Sequence, residues 1–351
     1  TLDGFGLGFR EYFGGAADVV IEAEGKGLSI AHADVSVDLT GADLQAGSYW
    51  TKPPGVAGAV AGHVSRTAEG VLTLKNVDMQ APGLALSGRA AFAGDARLIN
   101  FELETAKIET FIDASVKIAP NTANTAFDID MSGAFLDISP IVNQTIRTNT
   151  GQAGLPMNLT ASLDRLALDD MYVLRNAVMG IRHNGTGTEE ARISGDVTGG
   201  GFLASLSPKP DGKGRALLIE IPDAARATQA FLNMKSIKGG QFSLSASLPE
   251  VGVDGPLSGE VRVDDFALIN APIMAQILSL ASLKGLTDAM GGSGLTFKHF
   301  EAPFSYNQGA LSVRDARASG SALGLTGSGQ IDFAGKTVDI DGVLVPAYSA
   351  N

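Results

Sequence analysis

The chain of 351 residues contains no cysteine, which excludes disulfides and thiolate metal sites and leaves either redox compartment open. Aromatic residues are scarce, at 6%. A membrane-spanning helix needs a run of about 18 or more apolar residues. The longest candidate, around 271–283, is interrupted by Gln276 and Ser279.

Positively charged residues are also few compared with negatively charged ones. There are 26 lysines and arginines against 38 aspartates and glutamates, which gives a net charge of −12. Lysine and arginine contacts to phosphates dominate nucleic-acid binding, so we expect no nucleic-acid partner. The same balance argues against a polybasic patch that would be drawn to an anionic membrane surface.

Motifs that would support catalysis or metal binding are missing. The four histidines lie in unrelated runs, and no pair has the spacing of metal ligands. Carboxylate pairs such as Asp128/Asp130 and Asp339/Asp341 are two residues apart, which on a strand places them on one solvated face. We therefore predict no enzyme activity, no metal and no cofactor. A glycan-active enzyme that uses such a pair is the third-ranked alternative.

Glycine is abundant, with 44 residues, and 44% of the chain is hydrophobic. Short runs such as Phe101–Leu103, Phe127–Met131 and Phe242–Leu248 alternate apolar and polar residues between turn-forming ones. Strict alternation indicates strands with one dry and one wet face. The sequence predicts a mainly β protein, an extended and strongly curved antiparallel sheet forming a hydrophobic groove, with two or three short helices.

A repeated outline supports this fold. The segments Gly27–Val35, Gly70–Met79 and Gly309–Ala318 each alternate two apolar positions, slip by one residue, and alternate two more. A slip of one residue turns the later side chains to the other face unless a bulge absorbs it.

Helical spacing occurs in three places. Asp223–Met234 has Asp223 as a candidate N-cap, and Ile138–Thr148 has Pro140 near its start. A third helix, at about 272–290, is expected to cap the sheet; the alternative role is to gate the groove or to touch a bilayer. Its side chains for that role are Ile273, Ile277, Leu280 and Leu286. We divide the chain into a repetitive segment, 1–220, and a segment with the capping helix, 221–351, in one continuous architecture.

The second segment carries a family resemblance. The runs that carry it are Ile273–Leu286, Gly294–Phe297, Gly309–Val313, Leu323–Gly327 and Val343–Tyr348. Over about 220–348 the chain resembles the AsmA-like C-terminal region of large inner-membrane-anchored proteins of Gram-negative bacteria. The resemblance implies a bridge-like lipid-transfer relative in the periplasm, which moves phospholipid and contributes to outer-membrane lipid homeostasis.

The resemblance also implies partners: phospholipid, a membrane reached through a segment outside this chain, and outer-membrane or periplasmic proteins. The chain begins at Thr1 within a strand pattern, which we interpret as a fragment or processed product of a longer protein.

The apolar strand faces are the candidate binding site. Exposing a diacyl lipid of about 30 methylenes to water costs roughly 25 kcal/mol, so a carrier must offer a continuous dry surface. The runner-up interpretation is a closed β-sandwich or β-solenoid that acts as a structural or adhesive module, with these faces as its core. The side chains expected to line the groove are Leu72, Leu74, Leu84, Leu86, Phe101, Leu103, Phe242, Leu244, Leu311, Val313, Leu323 and Leu325.

Overall fold

The computed structural model describes residues 13–26, 29–47, 49–139, 154–169, 172–232, 235–269, 294–321 and 323–346. Of the described residues, 72% lie in strands and only a small share in helix. The predicted mainly β fold is therefore confirmed. The helix predicted at 272–290, with Ile273, Ile277, Leu280 and Leu286, lies outside the described residues, as does most of the one predicted at 138–148.

Most of the strands are 8 to 13 residues long, and they follow one another closely along the chain. Their bounds are β1 Phe13–Gly15, β2 Asp18–Lys26, β3 Ser29–Asp38, β4 Ala42–Ala46, β5 Trp50–Lys52, β6 Ala59–Arg66, β7 Leu72–Ala81, β8 Leu84–Phe92, β9 Leu98–Ile108, β10 Ile112–Pro120, β11 Phe127–Asp137, β12 Met157–Asp169, β13 Tyr172–His183, β14 Thr188–Val197, β15 Gly200–Pro208, β16 Arg215–Ile221, β17 Ile237–Leu248, β18 Leu257–Leu268, β19 Leu295–Asn307, β20 Ala310–Gly320, β21 Leu323–Asp332 and β22 Thr337–Pro346.

Within the described residues a helix, α1, spans Ala224–Leu232. Its first turn is capped by Asp223, whose carboxylate accepts a hydrogen bond from the backbone N–H of Arg226 at 3.1 Å. Such a side-chain acceptor satisfies an N–H group that has no partner within the helix. Ala224 and Ala227 are buried on one side of α1. The helix predicted from Asp223 is therefore confirmed.

The chain divides into two units. Unit 1 contains residues 1–138 and 155–166, and unit 2 contains residues 139–154 and 167–351. In unit 1, β2, β3 and β6 to β11 pair antiparallel in sequence order, while β1, β4 and β5 form a separate sheet. In unit 2, β13 to β22 pair antiparallel in sequence order. The division at 220 proposed from the sequence falls inside unit 2.

The β11–β12 connection departs from the antiparallel meander. Asn158 donates to the carboxylate of Asp128 at 2.7 Å, and the hydroxyl of Thr160 donates to that of Asp130. Moving two residues along β11, from 128 to 130, moves the partner two residues forward along β12, from 158 to 160. The two strands therefore run parallel. Parallel neighbours need a crossover of a dozen or more residues. Residues 138–156 separate β11 from β12, which exceeds this minimum length.

Bulges absorb the phase slip of the repeat. Asn76, Asn176, Asp265 and Asp315 lie inside strands with φ between 48° and 51°. Asparagine and aspartate tolerate this left-handed conformation better than other residues with a Cβ atom. The register shifts at Asn76, Asn176 and Asp315, for example between Leu74 and Val77 of β7. The apolar residues before and after each slip therefore stay on the same face.

We expect Asn76→Val to lower the free energy of unfolding by about 1–3 kcal/mol, because a β-branched residue is strained at φ 49°. Asn76→Gly should be close to neutral, since glycine adopts positive φ freely. Urea unfolding of both variants checks this. Equal stability of the valine and glycine variants would show that the bulge does not need this conformation.

Candidate functional site

An apolar face crosses the main sheet of unit 1. Residues paired directly across strands have side chains on the same side of a sheet. One such row crosses eight consecutive strands without a polar side chain: Ala23, Ala33, Val64, Leu74, Ala90, Phe101, Ile118 and Ile129. At the spacing of about 4.8 Å between strands, the row extends over about 34 Å.

Unit 2 has an apolar face of its own. One row crosses ten consecutive strands, β13 to β22: Ile181, Ala191, Leu206, Leu217, Ala246, Gly259, Phe304, Val313, Gly329 and Ile340. A second row contains Met179, Ile193, Ala204, Ile219, Leu244, Val261 and Ala302. The first row spans about 43 Å at the same spacing.

The apolar faces are uncovered at the outermost strands. Val19 and Ile21 of β2 are 56% and 60% exposed, and Val338 and Ile340 of β22 are 66% and 61% exposed. Scattered apolar residues on a protein surface are ordinary, but contiguous exposed apolar surface marks a binding site or an interface.

The opposite face of the sheet is polar. In unit 1, Glu102 forms ion pairs with Arg89 at 2.6 Å and Lys117 at 3.4 Å, across three adjacent strands. The hydrogen bond from Arg89 is the main reason that the pKa of Glu102 lies below its usual value. Glu102 stands between Phe101 and Leu103 on β9, so the change from apolar to charged follows the alternation of the strand.

All twelve side chains predicted to line the groove lie on these apolar faces. In unit 1 the strand pairings place Leu72, Leu74, Leu84, Leu86, Phe101 and Leu103 on one face. In unit 2 the strand pairings place on one face Phe242, Leu244, Leu311, Val313, Leu323 and Leu325. Contact of these side chains with lipid stays a prediction.

Protein covers one end of the unit 1 face. The separate sheet β1–β4–β5 contributes Leu44 and Trp50 to a buried cluster with Leu84, and Leu86 packs against it. Trp50 is 4% exposed and donates its indole N–H to the carbonyl of Pro82 at 2.8 Å. At this covered end of unit 1, Leu84 and Leu86 therefore belong to the packed core of the protein.

Unit 2 also has a covered end. Ala224 of α1 packs in a cluster with Phe266, Phe297 and Leu323, and the two phenylalanine rings stack at 5.2 Å. Phe242 and Leu325 pack against this cluster. The predicted residues outside both clusters are half-buried: Leu72, Leu74, Phe101, Leu103, Leu244, Leu311 and Val313.

The covering of unit 1 was not found from the sequence. The stretch Thr51–Gly62 reads as a hairpin loop, whereas the short strand β5 extends over its first two residues. The one tryptophan of the chain was the available signal, since a large ring with a hydrogen-bonding N–H is seldom left exposed.

Titratable groups cluster on the polar face of unit 2. His299 approaches Asp264 at 2.6 Å and Glu301 at 3.4 Å, and the hydrogen bond to Asp264 raises the pKa of His299. A shallow depression next to it is lined by Arg317 and Thr326, among others. No group of three or more potential metal ligands occurs within the described ranges. The arrangement is that of surface ion pairs.

In the part of the chain that the structure describes, no helix is long and apolar enough to span a bilayer. Comparisons with protein-family models, with curated proteins and with solved structures find no match to this chain.

Proposed function

We propose that the protein binds lipid acyl chains along its apolar faces and carries phospholipid through the periplasm between inner and outer membranes. The observation that supports this most is the unbroken apolar row across β13 to β22. As a periplasmic lipid carrier similar to the AsmA-like proteins, it would be anchored to the inner membrane by a part of the protein outside this chain.

The energetics favour a binding surface of this kind. Each methylene moved from water to an apolar surface gains about 0.8 kcal/mol, so a lipid needs contact along most of its chain rather than one deep pocket. Rows of half-buried side chains, with Leu244 in one and Val313 in the other, offer such a contact. Transfer along it requires no bond to form or break, and therefore no catalytic group.

A structural or adhesive module is the second candidate. The clusters around Trp50 and Phe297 favour it, because there the apolar face is already packed with protein side chains. The two candidates differ at the half-buried residues, which a scaffold would leave without a ligand.

Photo-crosslinkers at three consecutive positions of β7 test the proposal. Leu72 and Leu74 are on the apolar face, and the hydroxyl of Thr73 forms a 2.6 Å hydrogen bond with Ser65 on the polar face. With phospholipid vesicles present, we expect crosslinks to lipid from positions 72 and 74 and few from 73. Equal labelling at all three positions, or none, would contradict lipid binding on this face and favour the module.

A further inference from the structure

The end of the unit 2 face that lies away from α1 carries a positive charge on the apolar side. Arg215 is the first residue of β16, and Ile221, at its other end, is 4% exposed and pairs with Phe242 of the covered end. Six residues at about 3.3 Å each place Arg215 about 20 Å from Ile221. We call this the uncovered end of unit 2.

Arg215 belongs to the apolar face rather than to the polar one. It lies directly opposite Pro208 of β15 and Leu248 of β17, and two residues before Leu217 of the ten-strand row. Its side chain reaches across the ends of the strands. The guanidinium donates from Nε to the carbonyl of Pro249 at 3.0 Å and from Nη1 to the carbonyl of Thr188 at 2.5 Å.

Among the described residues, no carboxylate lies within ion-pair distance of the Arg215 guanidinium. A guanidinium has five N–H donors, and the two carbonyls accept from only two of them. Partial burial lowers the pKa of Arg215, and no negative group offsets that effect. By contrast, Arg89 is paired with Glu102 and Lys298 with Asp265, and these carboxylates raise the pKa of both cations.

A partly buried cation costs desolvation free energy unless an anion compensates it. The chain's net charge of −12 would keep a soluble anion away, so an anion held here needs a local cation and a second source of affinity. Acyl chains on the adjacent apolar face supply that second source. A ligand that fits both features is an amphiphile with an anionic group such as a phosphate at one end.

We infer that Arg215 binds the phosphate of a lipid whose acyl chain lies along the unit 2 face and points towards α1. This rests on the proposed function and adds to it the residue that holds the phosphate and the orientation of the bound lipid. Arginine suits the role because its planar fork of N–H donors matches two phosphate oxygens at once.

Two lipids that differ only in the phosphate test the inference. Binding of 1-oleoyl lysophosphatidic acid and of 1-oleoylglycerol to the full chain is measured below their micellar concentrations, with inorganic phosphate as a third probe. We expect the phosphate-bearing lipid to bind about tenfold or more tightly, the effect of one or two charge-assisted hydrogen bonds. Inorganic phosphate alone should bind much more weakly than this lipid.

The variants Arg215→Gln, Arg215→Lys and Arg262→Gln complete the experiment. Arg215→Gln should remove the preference for the phosphate and keep the affinity for 1-oleoylglycerol. Arg215→Lys keeps the charge and should keep part of the preference, which guards against a folding defect in the glutamine variant. Arg262 is on the polar face, paired with Glu260, and its variant should behave as the wild type.

The outcomes separate the two proposals. Equal affinity of the wild type for both lipids, or a preference that survives in Arg215→Gln, would overturn the role of Arg215 and leave acyl-chain binding intact. Phosphate binding of equal strength with and without an acyl chain would indicate a site for free phosphate and would also overturn the inference. If neither lipid binds the wild type, the proposed function itself fails.

Discussion

Replacing Leu244 with aspartate is expected to weaken acyl-chain binding at least about tenfold. Leu244 is directly opposite Ile219 and Val261 in the centre of the unit 2 face, so the new carboxylate would lie beneath a bound chain. Burying a carboxylate without a partner costs more than the roughly 1.4 kcal/mol that corresponds to a factor of ten. Titration with a fluorescent fatty acid measures the change.

Ser243→Asp is the matched control for that variant. Ser243 precedes Leu244 on the same strand but points to the polar face, where it lies opposite Glu220 and Arg262. The control introduces the same charge one residue away and should retain wild-type affinity. If both variants lose binding equally, or neither does, acyl chains do not use this face. Circular dichroism of the two variants shows whether each keeps its sheet.

Trp50→Ala should lower the free energy of unfolding by about 3–5 kcal/mol, the range for deleting a large buried aromatic side chain. The ring is 4% exposed and packs with Leu44 and Leu84, so its removal leaves a cavity between the separate sheet and the main sheet of unit 1. Urea unfolding followed by circular dichroism measures the loss. Because Trp50 is the chain's one tryptophan, its fluorescence reports on the covered end in the wild type.

Trp50→Phe separates the ring from its hydrogen bond. Phenylalanine keeps most of the apolar volume but leaves the carbonyl of Pro82 without the indole donor. We expect a loss of about 1–2 kcal/mol, the usual cost of removing one partner of a buried hydrogen bond. A change of less than about 1 kcal/mol in Trp50→Ala would show that the β1–β4–β5 sheet is not a stabilising cover.

The strand pattern was predictable because alternation is a local property. Each short run, such as Phe101–Leu103 or Phe242–Leu248, specifies its own apolar side from its own residues, whatever it later pairs with. The bulges could be anticipated from the slips in the repeat, and Asn76 and Asp315 show how the chain makes them. The N-cap of α1 was predictable for the same reason, because the capping residue Asp223 directly precedes the helix in the sequence.

Partners distant in sequence were not predictable. Nothing in the run around Trp50 shows that it covers Leu84, because that contact joins segments separated by more than 30 residues. The parallel step from β11 to β12 depends on the path of a long connection, which alternation does not encode. The position of Arg215 at the uncovered end follows from the register of β15 to β17.

The sequence by itself determined that this is a β protein in which nearly every strand has one apolar face. Successive side chains of a strand point to opposite faces whatever the strand pairs with, so the alternation can be recognised within each run. The tertiary structure decided how those apolar faces join into rows, which of their ends are covered by protein, and which charged group lies beside them. Those features depend on strand register and on contacts between remote segments, and both are set when the whole chain folds rather than by any single run of residues.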